Sequence, residues 1–177
     1  MNISAEHSEL MITFPLYRFV DDILAGEELV KSKTTVYLDQ TAGMKSLLSE
    51  ITSKTVNATI EDVNTLYQDL IYRAQFPSWT EEALLIMVGL IAQVKPNISF
   101  PKRLQYLQEN CTNDGFSILE LFQRICYHLV RYGKVTLVAD VDTDGNGYIA
   151  LYDAYSEYNW KHATIAGRKD LVMVAFK

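Results

Sequence analysis

Apolar residues recur along this chain in two rhythms. Up to residue 132 they follow helical spacing; beyond it they mostly alternate. Residues 16–30 place Phe19, Ile23 and Leu24 on one helical face, with Gly26 interrupting. Tyr37-Leu38 is a short apolar element, and 42–58, rich in Ser, Thr, Lys and Asn, predicts a loop with one helical turn over 44–51. A helix is predicted over 60–75, capped by Thr59, with Val63, Leu66, Leu70 and Ala74 in register, and Pro77 breaks it. Ser78-Trp-Thr-Glu81 has the spacing of a capping box and opens a helix over 79–94. That helix is apolar nearly all round, which predicts that it lies buried and sets stability. On that reading Leu85→Ala or Leu90→Ala costs ~2–5 kcal/mol. Lys95-Pro96 ends it, because the residue before proline leaves the α region. A short helix over 102–109, a Thr112-Asn-Asp-Gly115 turn and a helix over 117–132 follow, the last with a stripe of Ile118, Phe122, Ile125 and Leu129. Gly133 stops it.

The second rhythm starts there. Val135, Leu137 and Ala139 alternate with Thr136, Val138 and Asp140, and Tyr148-Ile-Ala-Leu-Tyr152 returns as a partner strand. The stretch between them, with Asn146-Gly147 at its end, is turn chemistry. Residues 171–176 read as a third strand, and a strand needs a neighbour for its backbone groups, either inside the domain or in a longer chain. The expected fold is therefore α+β: a helix-rich amino-terminal part packed with a small antiparallel sheet, a hairpin plus a third strand, near the carboxyl end. Residues 1–15 are expected to be a loose arm and 16–177 a single domain, expected to be truncated.

The same turn supports a second chemistry. A twelve-residue calcium loop needs oxygen ligands at positions 1, 3, 5, 7, 9 and 12 and glycine at 6. Counted from Asp142, these are Asp142, Asp144, Asn146, the Tyr148 carbonyl, Ala150 and Asp153, with Gly147 at 6 and Ile149 at the apolar position 8. Ala150 supplies no ligand, and Asp153 is shorter than the usual glutamate. An EF-hand loop also lies between helices, whereas residues 134–141 are β-branched strand formers. The hairpin is thus the leading reading, with calcium its alternative. No metal, cofactor or catalytic residue is assigned.

Composition narrows the function classes. The chain has 177 residues, 49% hydrophobic and 21% charged, and a net charge of −6, which argues against a tight sequence-specific nucleic-acid binder. Cys111 and Cys126 are the two cysteines, and Cys126 sits in an apolar helical pattern, as a reduced core residue would. The amino terminus lacks a signal pattern, and the longest apolar run, 83–94, is too short to span a membrane. His7, His128 and His162 are isolated in sequence, Gly115-Phe-Ser117 lacks the last glycine of a nucleophile elbow, and Asn146-Gly147 lacks the Lys-Ser/Thr of a phosphate loop. Asp21-Asp22, Glu27-Glu28 and Glu81-Glu82 are adjacent pairs, which do not face each other on a helix. A non-enzymatic protein is expected.

In order and spacing, the elements over 17–176 resemble the amino-terminal part of portal proteins of long-tailed phages and prophages. The resemblance runs through Tyr37-Leu38 and an aromatic-arginine helix with Tyr67, Tyr72-Arg73 and Phe76. Met87-Val-Gly-Leu90 then precedes Lys95-Pro96. It continues with Asp114-Gly115, Tyr132-Gly133, a strand ending in Asp140, the hairpin and Asn159-Trp160. The loop over 142–147 is more acidic than the family pattern, 46–56 diverges, and the stem, clip and crown regions are absent. The resemblance implies a structural virion component without cofactor. It would be a subunit of a ring, usually a dodecamer, with capsid and terminase proteins as partners and double-stranded DNA passing through non-specifically. Its place would be the virion or the bacterial host cytoplasm, away from membranes. This stretch would belong to the outer wing. Tyr155, Tyr158 and Trp160 would then be interface residues, or else a satellite core under the hairpin.

Overall fold

The computed structural model describes residues 6–165 and 167–177. The fold is α+β, with helices through the first three-quarters of the chain and two antiparallel hairpins after them. The chain forms two compact units, Asp21–Glu81 and Met1–Val20 with Glu82–Lys177.

The first helix, α1 (Leu10–Leu24), begins six residues before the predicted start and runs through Pro15. The expected loose arm over 1–15 is thus helical from Leu10, and residues 1–5 lie outside the described residues. Leu10 is 1% exposed and the Phe14 ring packs 5.6 Å from that of Tyr155, burial that offsets the hydrogen bond which proline cannot donate. Gly26, at φ +90°, separates α1 from the short α2 (Glu27–Ser32).

Within Asp21–Glu81, α3 (Ala42–Thr52) packs against α4 (Ile60–Arg73). A loop with one turn is expected where α3 forms. Its Thr and Ser side chains do not break it, because they bond back inside it: Thr41 caps Met44, and Thr52 Oγ1 donates to the Leu48 carbonyl at 2.8 Å. Met44, Leu47, Leu48 and Ile51, at helical spacing, are its half-buried residues. A full capping box between Thr59 and Asp62 starts α4, which buries Val63 and Tyr67. The Tyr67 hydroxyl donates to the Leu38 carbonyl at 2.5 Å. Lys33 and Tyr37 both donate to the Asp22 carboxylate, which they hold below its usual range, while burial helps push the Tyr37 phenol up to about 12.

In the other unit, α5 (Trp79–Ala92, entering it at Glu82) is followed by a 3-10 turn, Lys102–Gln108, and by α6 (Ile118–Tyr132). Ser117 and Glu120 form the capping box of α6, and Gly133 closes it in the left-handed conformation. Leu121 and Cys126 are the residues α6 buries, with Ile118, Phe122 and Ile125 half-buried and Leu129 45% exposed. Leu10, Leu107 and Cys111 join this core, beside a cluster in which the Tyr17, Tyr132 and Tyr155 rings meet edge-on.

The predicted hairpin is present: β1 (Thr136–Val141) pairs antiparallel with β2 (Gly147–Tyr152), from Thr136 opposite Tyr152 to Val141 opposite Gly147. The third strand differs from expectation. It is β4 (Arg168–Phe176), which pairs with β3 (Glu157–Ile165) in a separate two-stranded sheet, turning at Gly167 with φ +81°. β3 is hard to see in the sequence because its inward positions are polar: Glu157 and Asn159 are 5% and 8% exposed.

The largest departure is α5. The predicted core helix buries only Leu84, with Val88 and Ala92 half-buried on the same ridge. Leu85, Ile86, Met87, Leu90 and Ile91 are all more than two-fifths exposed. An all-apolar helix has no polar face to signal which side packs, so periodicity cannot distinguish a buried helix from one that offers its surface elsewhere. The expected stability effects change accordingly. Leu84→Ala is predicted to cost ~2–4 kcal/mol, whereas Leu85→Ala and Leu90→Ala stay within about 0.5 kcal/mol of the parent. Equilibrium urea unfolding of the three variants checks this ranking.

Candidate functional site

The acidic loop sits at the tip of the β1–β2 hairpin, and its hydrogen bonds are internal. Asp142 Oδ1 accepts from the backbone N–H groups of Asp144 at 2.9 Å and Asn146 at 2.8 Å, and Asn146 Nδ2 donates to Asp142 Oδ2 at 3.2 Å. The Asp142 N–H donates to the Asn146 carbonyl, and that of Gly145 to the Asp142 carbonyl. Gly145, at φ +85°, takes the left-handed position, so the turn precedes Asn146-Gly147 and Gly147 is already strand. The bonds from Asn146 hold the Asp142 carboxyl below its usual range. Asp142 thus organises a turn.

The other calcium positions are elsewhere. β1, not a helix, enters Asp142. Asp153 follows the six residues of β2, which at strand rise places it about 20 Å from the tip. There its Oδ1 accepts from the Ser156 N–H at 2.9 Å and the Ser156 hydroxyl at 2.7 Å. An EF-hand ligand set is therefore not assembled, and among the described residues no group of three His, Cys, Asp or Glu side chains could hold a metal ion.

The hairpin is instead anchored at the start of β2. Tyr106 hydroxyl donates to the Gly147 carbonyl at 2.8 Å, and Ile149 N–H to the Cys111 carbonyl at 2.8 Å. Cys111 is fully enclosed, and burial pushes its thiol pKa up. A recess of about 350 Å³ between Tyr106, Asn110, Asp142 and Tyr148 lies beside the tip.

The three histidines occupy different surroundings. His7 stacks on Trp160, centroids 3.8 Å apart, and His162 is exposed. His128 is half-buried on α6, where its ring stacks 6.3 Å from Tyr132 and its Nδ1 is enclosed with no hydrogen-bond partner. It lines a cleft of about 380 Å³ against β2, together with Arg124 and Asp114. Arg124 lies over the Phe116 ring at 4.1 Å and 4.0 Å from the Asp114 carboxylate. Burial favours the neutral imidazole of His128, nearby Arg131 and Arg124 add to that, and Asp153 opposes it.

The aromatic residues near the carboxyl end divide. Tyr155 belongs to the edge-on cluster of the core. The Tyr158 carbonyl accepts from the His7 N–H at 3.1 Å. Trp160 carries the His7 ring and, 3.8 Å from its ring centroid, the Lys134 ammonium. Lys134 also pairs with Glu157 at 3.0 Å. His7 and Lys134 carry no local sequence pattern that ties them to Trp160, because the contacts join residues far apart in the chain.

Among the described residues no helix is long and apolar enough to cross a membrane. No protein-family model matches this chain, and no curated protein matches it significantly.

Two outcomes follow from this geometry. Calorimetric titration of calcium into the chelator-treated chain should show no saturable heat below ~1 mM, with Asp142→Ala indistinguishable from the parent. His128 should make stability fall in mild acid. Its folded-state pKa lies below the ordinary 6.5, so its contribution is complete above that value and is lost as pH falls through it toward the folded value. Urea midpoints measured from about pH 7 to pH 5 should decline for the parent and decline less for His128→Phe.

Proposed function

We propose that this chain is a structural subunit of a phage particle, equivalent to the wing part of a portal protein, and works by association. The motif order over 17–176 suggests the family. The observation that carries the reading is the β3–β4 hairpin. Its far half is exposed on both strands except at Ala163, with Ile165, Leu171 and Val172 at 54%, 52% and 47%. Among the described residues no strand pairs with the outer edge of β4. A two-stranded sheet is marginal alone, and an open apolar edge is a template for a neighbouring chain. In a ring, adjacent subunits would supply that neighbour, with capsid and terminase proteins meeting the outer surface and DNA passing through the centre without sequence readout.

The gene's neighbourhood and the particle itself test the proposal. The coding sequence should lie beside terminase and capsid genes. An epitope-tagged chain, produced in the host during particle assembly, should be found by immunogold electron microscopy at a single vertex. Deletion should leave capsids empty of DNA. Tagged chain absent from particles, with DNA packaging intact in the deletion, would refute it.

A further inference from the structure

The exposed side of α5 is a built seam, and the charges at its ends indicate what covers it. Glu82, Ile86, Leu90 and Val94 follow one another at four-residue intervals, flanked by Ala83 and Met87, opposite the inward ridge of Leu84, Val88 and Ala92. Ile86, Met87, Leu90 and Val94 are 62%, 47%, 58% and 75% exposed. With Leu85 and Ile91 beside them they form one contiguous exposed apolar face; such faces, when larger than the roughly 300–600 Å² common on monomers, mark interaction sites. Gly89, at the edge of the seam, has open space where a Cβ would stand, so a second backbone can come close there. No charge interrupts the helix between Glu82 and its end. Glu82 is exposed in the first turn, and Lys95 is exposed just past the last.

We propose that two copies of this chain pair through antiparallel α5 helices. Setting Ile86 of one copy against Leu90 of the other places Glu82 of each near Lys95 of its mate, at both ends of one two-fold contact. The same arrangement sets each helix amino terminus beside the other's carboxyl terminus, which the macrodipoles favour. A parallel pair would instead align like charges. The contact is isologous and closes at two copies, unlike the head-to-tail contact of a ring. It therefore goes beyond the proposed function and does not rest on it.

Analytical ultracentrifugation of the purified chain tests the pairing. The parent should show a reversible monomer–dimer equilibrium in the micromolar range, and Leu90→Asp should weaken it at least ~10-fold. Leu90 is exposed in the single chain, so that variant should keep the parent circular-dichroism spectrum, and the parent urea midpoint at concentrations low enough for the parent to be monomeric. Glu82→Lys alone and Lys95→Glu alone should each pair more weakly than the parent. An equimolar mixture of these two should recover dimer, because opposite charges again meet at both ends. A parent monomeric at about 100 μM, or a dimer indifferent to Leu90→Asp, overturns the proposal. Failure of the mixture to recover overturns the antiparallel register. Larger assemblies that persist in Leu90→Asp overturn it too, while leaving the ring reading intact.

Discussion

A single buried carboxylate holds the carboxyl-terminal third together. Glu157 opens β3, is 5% exposed, and accepts from Thr136 of β1 at 2.8 Å and from Lys134 at 3.0 Å. A carboxylate removed from water must be hydrogen-bonded or paired, and here one partner comes from β1 and the other, Lys134, from the segment that leads into it. The two sheets share no strand pairing, so this polar junction and the Tyr152–Phe176 stack, 4.2 Å between centroids, couple them. Lys134 reaches Trp160 from the same position, which extends the junction to the His7 segment. Removing the carboxylate would leave the Lys134 ammonium without its ion-pair partner and the Thr136 hydroxyl without its acceptor.

The helical part follows a different logic. Where capping residues, apolar stripe and a terminating glycine agree, as in α6, the element forms where the sequence places it. In α5 only the composition speaks. The helix forms, but apolarity says that a surface wants covering and is silent on what covers it. Among the described residues, several large apolar side chains of α1, α5 and β4 remain exposed, Met11, Ile12, Ile86, Leu90 and Leu171 among them.

Legibility in the sequence tracks how local the determining interaction is. The Thr59 cap, the helix that starts at Ser117, the Gly133 stop and the antiparallel pairing of β1 with β2 all arise within a few residues and were readable, although the turn falls at Gly145 rather than at Asn146-Gly147. The extension of α1 to Leu10 was not, because Pro15 signals a break and only the burial of Leu10 overrides it. β3 was hidden because Glu157 and Asn159 point inward for polar reasons, inverting the expected alternation. At the loop over 142–147 the motif letters fitted calcium well. The decisive fact is rather that an extended strand separates Asp142 from Asp153, so spacing suited to a helix-flanked loop becomes distance. The contacts among His7, Lys134 and Trp160 depend on the tertiary fold and left no trace in any short window.

Cys111 gives this architecture a built-in clock. Its carbonyl holds Ile149 of β2, and its thiol is fully enclosed. Alkylation requires both exposure and ionisation of that thiol, and burial suppresses both. The rate at which the thiol is modified in the native protein therefore reports how often the β2 edge lifts away from residue 111, an opening distinct from global unfolding.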